Sequence, residues 1–386
     1  MTRVIMVTER YVPIWGGAEN QLRQLLPRLR ELGVEVEIVT RRWRRDLPAR
    51  DSVDGVPVHR LGLPGEGPLG RVLFALHLLT YLLRVAGSQV IFHSHGVVSL
   101  GALVNLGSKP GGGRTIVKIA TAGSIPQFSA SIFGRIVLAL FKWSDQFVCI
   151  SDEIADELTA IGVPKSRVAR IPNGVDCSLF AHKSESDRRE WRRKHGLSQE
   201  ARLVVFSGRF VQRKGLITLI DAWQGIPGRH HNARLILLGS GRNQPDSVEE
   251  IMRRNLRNAD AGSVMLLGEI AEPWEVLGVC DIFVLPSYRE GLSNALLEAM
   301  ACGLAPVVTD IGGNNQLVIH GETGLLVPPG DAISLREAID KLLEQDALIA
   351  SNGSAARSMV ASRYSMDATA KQIANLYEKL RDKNLD

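Results

Sequence analysis

Aspartate and glutamate are missing altogether from residues 67 to 144, a stretch that carries Arg71, Arg84, Lys109, Arg114, Lys118, Arg135 and Lys142. A region so unbalanced suits an anionic partner or a membrane surface. Cysteine is scarce: Cys149, Cys177, Cys280 and Cys302 stand far apart, which excludes a zinc ribbon or a disulfide framework. Three of them lie in the apolar settings "FVCIS", "GVCDIF" and "MACGL", where a thiol usually packs. No Asp-x-Asp occurs, so nothing in the sequence asks for a divalent cation, and the expected metal set is empty. No complete G-x-G-x-x-G follows a strand, since "GSGRNQ" from Gly239 lacks the third glycine, which sets a nicotinamide dehydrogenase aside. The longest apolar run, "VLFALHLLTYLL" from Val72, is broken by His77 and falls short of the ~20 residues of a spanning helix, so no transmembrane span is expected. No apolar leader precedes the strand from Arg3, which predicts a cytoplasmic protein. Aromatic residues make up only 5% and no known nucleic-acid-binding module is present, so no nucleic acid is expected as partner.

What is present is a repeated alternation. Short β-branched runs, from "RVIMVT" to "RVARIP" in the first half and from "RLVVFSG" to "TGLLV" in the second, alternate with helical patterns. Helices are expected to start near Ala18, Gly70, Val98, Ser129 and Asp152 in the first half. Parallel sheets with crossover helices write this pattern, and 386 residues suit two such domains. The expected class is α/β, two doubly wound Rossmann-like domains facing a cleft. The first would span residues 1–176 plus about 365–386 and the second 177–364, with the polar stretch 177–200 as connector. Through Asp176 there are 21 Lys+Arg against 15 Asp+Glu, an excess of six, which leaves the remainder of the +5 chain at −1. The basic excess belongs to the first half.

Ligands of open α/β sheets bind outside the carboxyl ends of the strands, which directs attention to strand-to-helix loops. In "DIFVLPSYREGLSNALLEAMACG" a strand ends near Pro286 and a helix starts near Ser293 or Asn294. Free amides at that helix start make a phosphate site, and Gly291 lets backbone approach it. Glu290 precedes the helix, while Glu298 lies ~6 Å along its axis from Asn294 at 1.5 Å per residue. Two carboxylates flanking a phosphate-sized site suit the ribose, diphosphate and sugar of a nucleotide sugar. A pair of solvated glutamates is the plain alternative. "FSGRFVQRKG" offers Arg209 and Lys214, five residues apart across a strand-to-helix turn, where they can converge on a diphosphate or be an ordinary solvated surface. Gly16 and Gly17 in "ERYVPIWGGAEN" stand before a helix that Glu19 would help to start, as a ligand approach or merely a turn. "IFHSHG" places His93 and His95 on one face at a strand end, as substrate contacts or satisfied core residues.

Together "GGAEN", "HSHG", "ISDEIADELTAIGVPKSRVARIPNGVD", "GRFVQRKG" and "PSYREGLSNALLEAMACGLAPVVTDIGGNNQLVIHGETGLLVPPGD" resemble the large retaining glycosyltransferase family four, of GT-B fold. The last segment carries that family's E-x7-E pattern. The resemblance implies that Gly16 and Gly17 lie over the donor phosphates and that His95 orients the donor sugar. It implies that Arg209 and Lys214 hold the diphosphate, that Glu290 contacts the transferred sugar and that Glu298 grips the ribose. The amides of Gly291, Leu292, Ser293 and Asn294 would complete the phosphate site. Two departures stand out. Ser293 replaces the second glycine of the usual E-G-[FL]-G, and "ATAGSIPQFS" from Ala120 replaces the usual T-x-H-G. The first bears on which sugar is taken, the second on the acceptor.

The function that these residues and the resemblance together imply is metal-independent, retaining transfer of a sugar from a nucleoside diphosphate sugar to a lipid-linked or anionic glycan acceptor. By the family resemblance alone, UDP-sugars are the first expectation as donor and GDP-sugars the second, with no cofactor beyond the nucleotide sugar itself. "TRRWRRDLPAR", with Arg41, Arg42, Arg44 and Arg45 around Trp43, suggests docking on anionic lipid, or a solvated loop. A non-catalytic nucleotide-sugar-binding protein and a GT-B glycosyl phosphorylase are the alternatives. A glycoside hydrolase would set its carboxylates across a bond rather than in one loop and helix start.

Overall fold

The computed structural model describes residues 2–13, 16–65, 67–121, 123, 125, 126, 128, 131–242, 244–258 and 261–382. The chain divides into two compact units, Met1–Gly174 with Met366–Asp386, and Val175–Ser365.

In the first unit the elements run β1 (Thr2–Thr8), α1 (Gly17–Glu31), β2 (Val34–Arg41), β3 (Arg50–Val53), β4 (Val56–Leu61), α2 (Pro68–Val85), β5 (Val90–His95), α3 (Val98–Ser108), β6 (Arg114–Ile119), α4 (Ile132–Phe141), β7 (Gln146–Cys149), α5 (Asp152–Ala160) and β8 (Val168–Arg170). They form one eight-stranded sheet in the order β3-β4-β2-β1-β5-β6-β7-β8, parallel except for the β3–β4 hairpin. β1 and β5 are buried along nearly their whole length, as strands covered on both faces must be. The expected helix start at Ser129 lies outside the described residues. α4 begins at Ile132, where the Ser131 hydroxyl accepts from the Gly134 amide at 3.0 Å and caps the first turn.

The second unit continues with α6 (Glu185–Lys194), β9 (Arg202–Ser207), α7 (Leu216–Trp223), β10 (Ala233–Leu238), α8 (Glu249–Asn258), β11 (Val264–Gly268), α9 (Pro273–Leu277), β12 (Ile282–Leu285), α10 (Asn294–Ala301), β13 (Ala305–Thr309), α11 (Gly312–Asn315), β14 (Leu325–Val327), α12 (Ala332–Leu343) and α13 (Asp346–Arg363). Its sheet has the order β11-β10-β9-β12-β13-β14, all parallel. The last helix, α14 (Met366–Asp382), belongs to the first unit. There Met366, Ala370, Ile373, Tyr377 and Leu380 pack with Leu22, Leu25, Leu26 and Leu29 of α1 on one sheet face, while Phe74, Leu78 and Leu82 of α2 pack on the other.

Two differences from the sequence reading have physical causes. The stretch expected to be a connector contains α6, whose inward residues are arginines. Arg188 Nη2 donates to Asp281 Oδ1 at 2.5 Å and Arg192 lies 3.7 Å from Asp281 Oδ2, all three side chains being buried. α6 is therefore part of the second unit. The loop around Trp43 is also not a solvated surface throughout. Arg41 ends β2 with its guanidinium fully buried, bonded to the Gly65 carbonyl and 3.6 Å from Glu9 Oε1. Its guanidinium stacks 4.2 Å from the Trp43 ring, and Trp43 Nε1 donates to the Glu9 carbonyl at 2.7 Å. Arg41 and Trp43 thus face inward, Arg42 is half-buried and bonded to the Leu47 carbonyl, and Arg44 pairs with Asp46. Only Arg44 and Arg45 of that set are exposed.

Candidate active site

Each sheet reverses its strand order once, between β1 and β5 in the first unit and between β9 and β12 in the second. Loops at such a reversal diverge to opposite faces and leave a crevice beyond the carboxyl ends of the strands. The sequence-predicted residues fall at these two places. Gly16 and Gly17 follow β1 and His95 ends β5; Arg209 and Lys214 follow β9, and Glu290 to Glu298 follow β12.

At the second-unit reversal, β9 leads through Gly208 and Arg209 into a 3-10 turn, Gln212–Lys214, and then α7. Gly215 closes the turn at φ +67°, and a Cβ there would stand 1.8 Å from the Pro286 carbonyl oxygen. A glycine is required for the two loops to approach so closely. The Tyr288 amide donates to the Arg213 carbonyl at 2.8 Å, which fastens the loop after β12 to the turn after β9. Lys214 Nζ reaches Glu290 Oε1 at 2.5 Å, the Ser287 hydroxyl donates to the same oxygen at 2.7 Å, and Arg213 lies 3.7 Å from Oε2. Lys214 and Glu290 are both more than nine-tenths buried.

Burial is the largest influence on both groups. It holds the Lys214 ammonium below the usual lysine range, helped by Arg213 and Arg209 and opposed by Glu290. For Glu290 burial pushes upward, but Lys214, Ser287 and Arg213 together outweigh it and hold the carboxyl below its usual range. Glu290 is accordingly an ionised acceptor at neutral pH. α10 starts directly after this pair, with Ser293 as its cap accepting from the Leu296 amide at 3.4 Å. Ser293 thus supplies the cap, a role the usual glycine could fill only less well. Leu292, Ser293 and Glu298 are buried, Gly291 and Asn294 partly exposed. Gly313, at the start of α11, lies against this loop so closely that a Cβ would meet the Gly291 carbonyl oxygen at 2.0 Å. Arg209 is exposed, and its Nη1 donates to the Gln244 side chain at 3.1 Å.

In the first unit His93 and His95 are both buried, with ring centroids 4.2 Å apart. His93 Nδ1 bonds the Tyr377 hydroxyl of α14 at 2.7 Å, which makes it a core residue, with Nε2 buried and without a hydrogen bond among the described residues. His95 lines a cavity of about 40 Å³ with Lys118, Ala18, Gln21 and Asn173. Lys118, near the end of β6, is missing from the sequence-predicted set. It is buried with no acid against it among the described residues, and burial lowers its ammonium to about 8. A lysine between the apolar residues Val117 and Ile119 of the strand "RTIVKI" was the available signal. α1 starts at Gly17, with Gly16 as an extended, exposed N-cap. Among the described residues no three His, Cys, Asp or Glu side chains stand together as a metal site.

Burial, with Lys118 nearby, lowers His93 from 6.5 to about 3; burial, His93 and Lys118 push His95 well down. Both imidazoles are neutral at pH 7. Below pH 6.5 the unfolded chain takes up protons at these positions and the folded unit does not, so this contribution is complete above that pH and is lost on acidification. The expected slope is about 1.4 kcal/mol per pH unit for each histidine, down to the folded value. Urea unfolding between pH 7 and pH 5 measures it, and His93→Phe should remove roughly half of the dependence. A flat profile would mean that neither ring is sealed from water.

Comparison with known proteins agrees with this fold. Residues 15–179 match the family Glycosyltransferase Family 4 and residues 187–359 match Glycosyl transferases group 1. The alpha-D-kanosaminyltransferase of Streptomyces kanamyceticus is 26% identical over 92% of this chain and 92% of its own length. The D-inositol 3-phosphate glycosyltransferase 2 of Catenulispora acidiphila is 29% identical over 94% of this chain and 90% of its own. The structure of Anabaena HepE in complex with UDP and glucose superposes with a TM-score of 0.81 at 19% identity, over 98% of this chain and all of that one. The fold is GT-B, and the chain belongs to the family-four, group 1 glycosyltransferases. It is an enzyme of the hexosyltransferase type.

Proposed function

We propose that the protein transfers a sugar from a nucleoside diphosphate sugar, UDP-linked first and GDP-linked second, to a lipid-linked or anionic glycan precursor, with retention and without a metal ion. The observation that carries this reading is the buried Lys214–Glu290 pair at the strand-order reversal of the second unit, immediately before the start of α10. Lys214, Arg209 and the α10 amides form a cationic and dipolar seat for a diphosphate. Glu290 and Glu298 accept hydrogen bonds from the sugar and from the ribose.

In the proposed reaction the bond from the anomeric carbon to the diphosphate oxygen breaks, and its electron pair stays on that oxygen. The acceptor oxygen attacks from the face the diphosphate has left and passes its proton to the departing phosphate. Lys214 and Arg209 stabilise the charge that develops on that phosphate. His95, held neutral by burial, is the hydrogen-bonding group offered to the reacting sugar, with Gly16 and Gly17 admitting backbone beside it. Lys118, a cation without an acid partner among the described residues, favours an acceptor bearing phosphate or carboxylate. The reaction would take place in the cytoplasm, at the inner face of the membrane where the acceptor is lipid-linked.

The test is turnover of a panel of UDP- and GDP-sugars in EDTA, with the anomeric configuration of the product read by NMR. Retention from one donor in EDTA is the expected result. Turnover restored only by added Mg²⁺ or Mn²⁺ contradicts metal independence. Inversion contradicts the proposed stereochemistry, and transfer to inorganic phosphate alone would make the protein a phosphorylase.

A further inference from the structure

Only one side of α2 and of α4 is packed. On α2, Phe74, Leu78 and Leu82 enter the core, while Leu69, Val72, Leu76 and Leu83 form a stripe on the opposite side at 71%, 56%, 55% and 53% exposure. Those four recur at helical spacing on a single face. On α4, Val137, Leu138 and Phe141 are buried, whereas Ile132 and Phe133 are 78% and 74% exposed and Ile136 is 55% exposed. Trp143, just past its end, is half exposed. α3 packs against both helices, and all three follow crossovers that run the same way along the sheet, so they form one layer on one face. The outer surface of this layer is apolar at both flanks. So many large apolar side chains in water on the two helices that flank α3 mark a surface that is covered in use.

The charge of the same segment says by what. Residues 67 to 144 hold no acid, and Arg84 and Arg135 are exposed on these two helices. We infer that the outer face of α2 and α4 is a docking surface for an anionic lipid bilayer, lying in the headgroup region with its apolar side chains in the acyl boundary. A second copy of the chain is the wrong occupant, because a symmetric contact would set two acid-free basic faces against each other. A spanning role for α2, which is long and apolar enough by composition, would strip Phe74, Leu78 and Leu82 from Val39 and Phe92 in the core. The sequence reading placed membrane contact at Arg41 to Arg45 and on the acid-free stretch from residue 67; the buried Arg41 and Trp43 weaken the first and leave the outer faces of α2 and α4 as the surface. This inference needs no turnover, so it stands or falls separately from the proposed reaction.

The test is flotation of the full chain with vesicles of phosphatidylcholine alone or mixed with phosphatidylglycerol. The wild type is expected to float with the mixed vesicles, less so as salt rises, and weakly with neutral ones. Ile132→Ser with Phe133→Ser and Ile136→Ser, and separately Leu69→Ser with Val72→Ser and Leu76→Ser, should each lower binding about ten-fold or more. Their melting curves should be unchanged, because these side chains contact water in the folded chain. Arg84→Gln with Arg135→Gln should reduce binding to mixed vesicles and leave neutral ones unaffected. The inference is overturned if the wild type ignores both kinds of vesicle, or if both triple variants bind as the wild type does. Sedimentation velocity that shows a dimer lost in the triple variants, without vesicle binding, would assign the face to self-association.

Discussion

Lys214→Ala is expected to lower kcat/KM for glycosyl transfer by about 10²- to 10³-fold, the range seen when one preorganised donor to a developing oxyanion is removed. The ammonium is 2.5 Å from Glu290 in a site more than nine-tenths buried, so water replaces it poorly. Its removal also leaves the Glu290 carboxylate buried with Ser287 and a distant Arg213, which costs roughly 3 to 5 kcal/mol of stability when a buried pair is broken on one side. The two effects separate in a double variant. Lys214→Ala with Glu290→Gln removes the unpaired charge and should recover most of the lost stability without recovering turnover. Transfer rates in Lys214→Ala within about three-fold of the wild type would show that the lysine does not bear on the diphosphate.

Asp281→Ala is expected to produce the largest purely structural loss, again about 3 to 5 kcal/mol on the unfolding of the second unit, read by urea denaturation. Asp281 accepts from Arg188 at 2.5 Å and from the Leu203 amide at 2.8 Å, and Arg192 and Arg202 each come within 3.7 Å of it. Removing the carboxylate leaves two buried guanidinium groups facing each other and a strand amide without its acceptor. The site at the far ends of β9 and β12 should keep its KM for the donor in whatever fraction remains folded. A loss below about 1 kcal/mol would show the cluster to be hydrated, as exposed ion pairs are.

These clusters show where sequence reading succeeds and where it stops. β1, β5, β9 and β12 were legible because strands buried on both faces are almost continuously apolar. The loops after them were legible because close backbone approach and phosphate seats demand glycine, serine and basic residues at particular steps. α6 was not, because its inward positions, four residues apart, are Arg188 and Arg192, and an apolar periodicity cannot register charges that satisfy one another. The β3 hairpin strand escaped for a related reason: "RDSV" is almost wholly exposed and carries no alternation. Lys118 and Arg41 are the same lesson reversed, since charged residues at strand ends read as solvated while the fold encloses them. The stripe on α2 was ambiguous in principle, because a helix apolar on all sides gives the same composition whether buried or not.

The return of the chain to its first unit has a consequence for biosynthesis. α14 supplies Ile373, Tyr377 and Leu380 to the core beside α1, and the Tyr377 hydroxyl meets His93. Gly174, near which the chain leaves that unit, is so close to Met366, where it returns, that a Cβ would touch the Met366 backbone at 2.7 Å. On the ribosome, therefore, the unit begun first is finished last. Its sheet must wait, with one apolar face incomplete, while the whole second unit is translated. Nascent chains stalled before residue 366 would carry that open face, and they are the species a chaperone would have to shield.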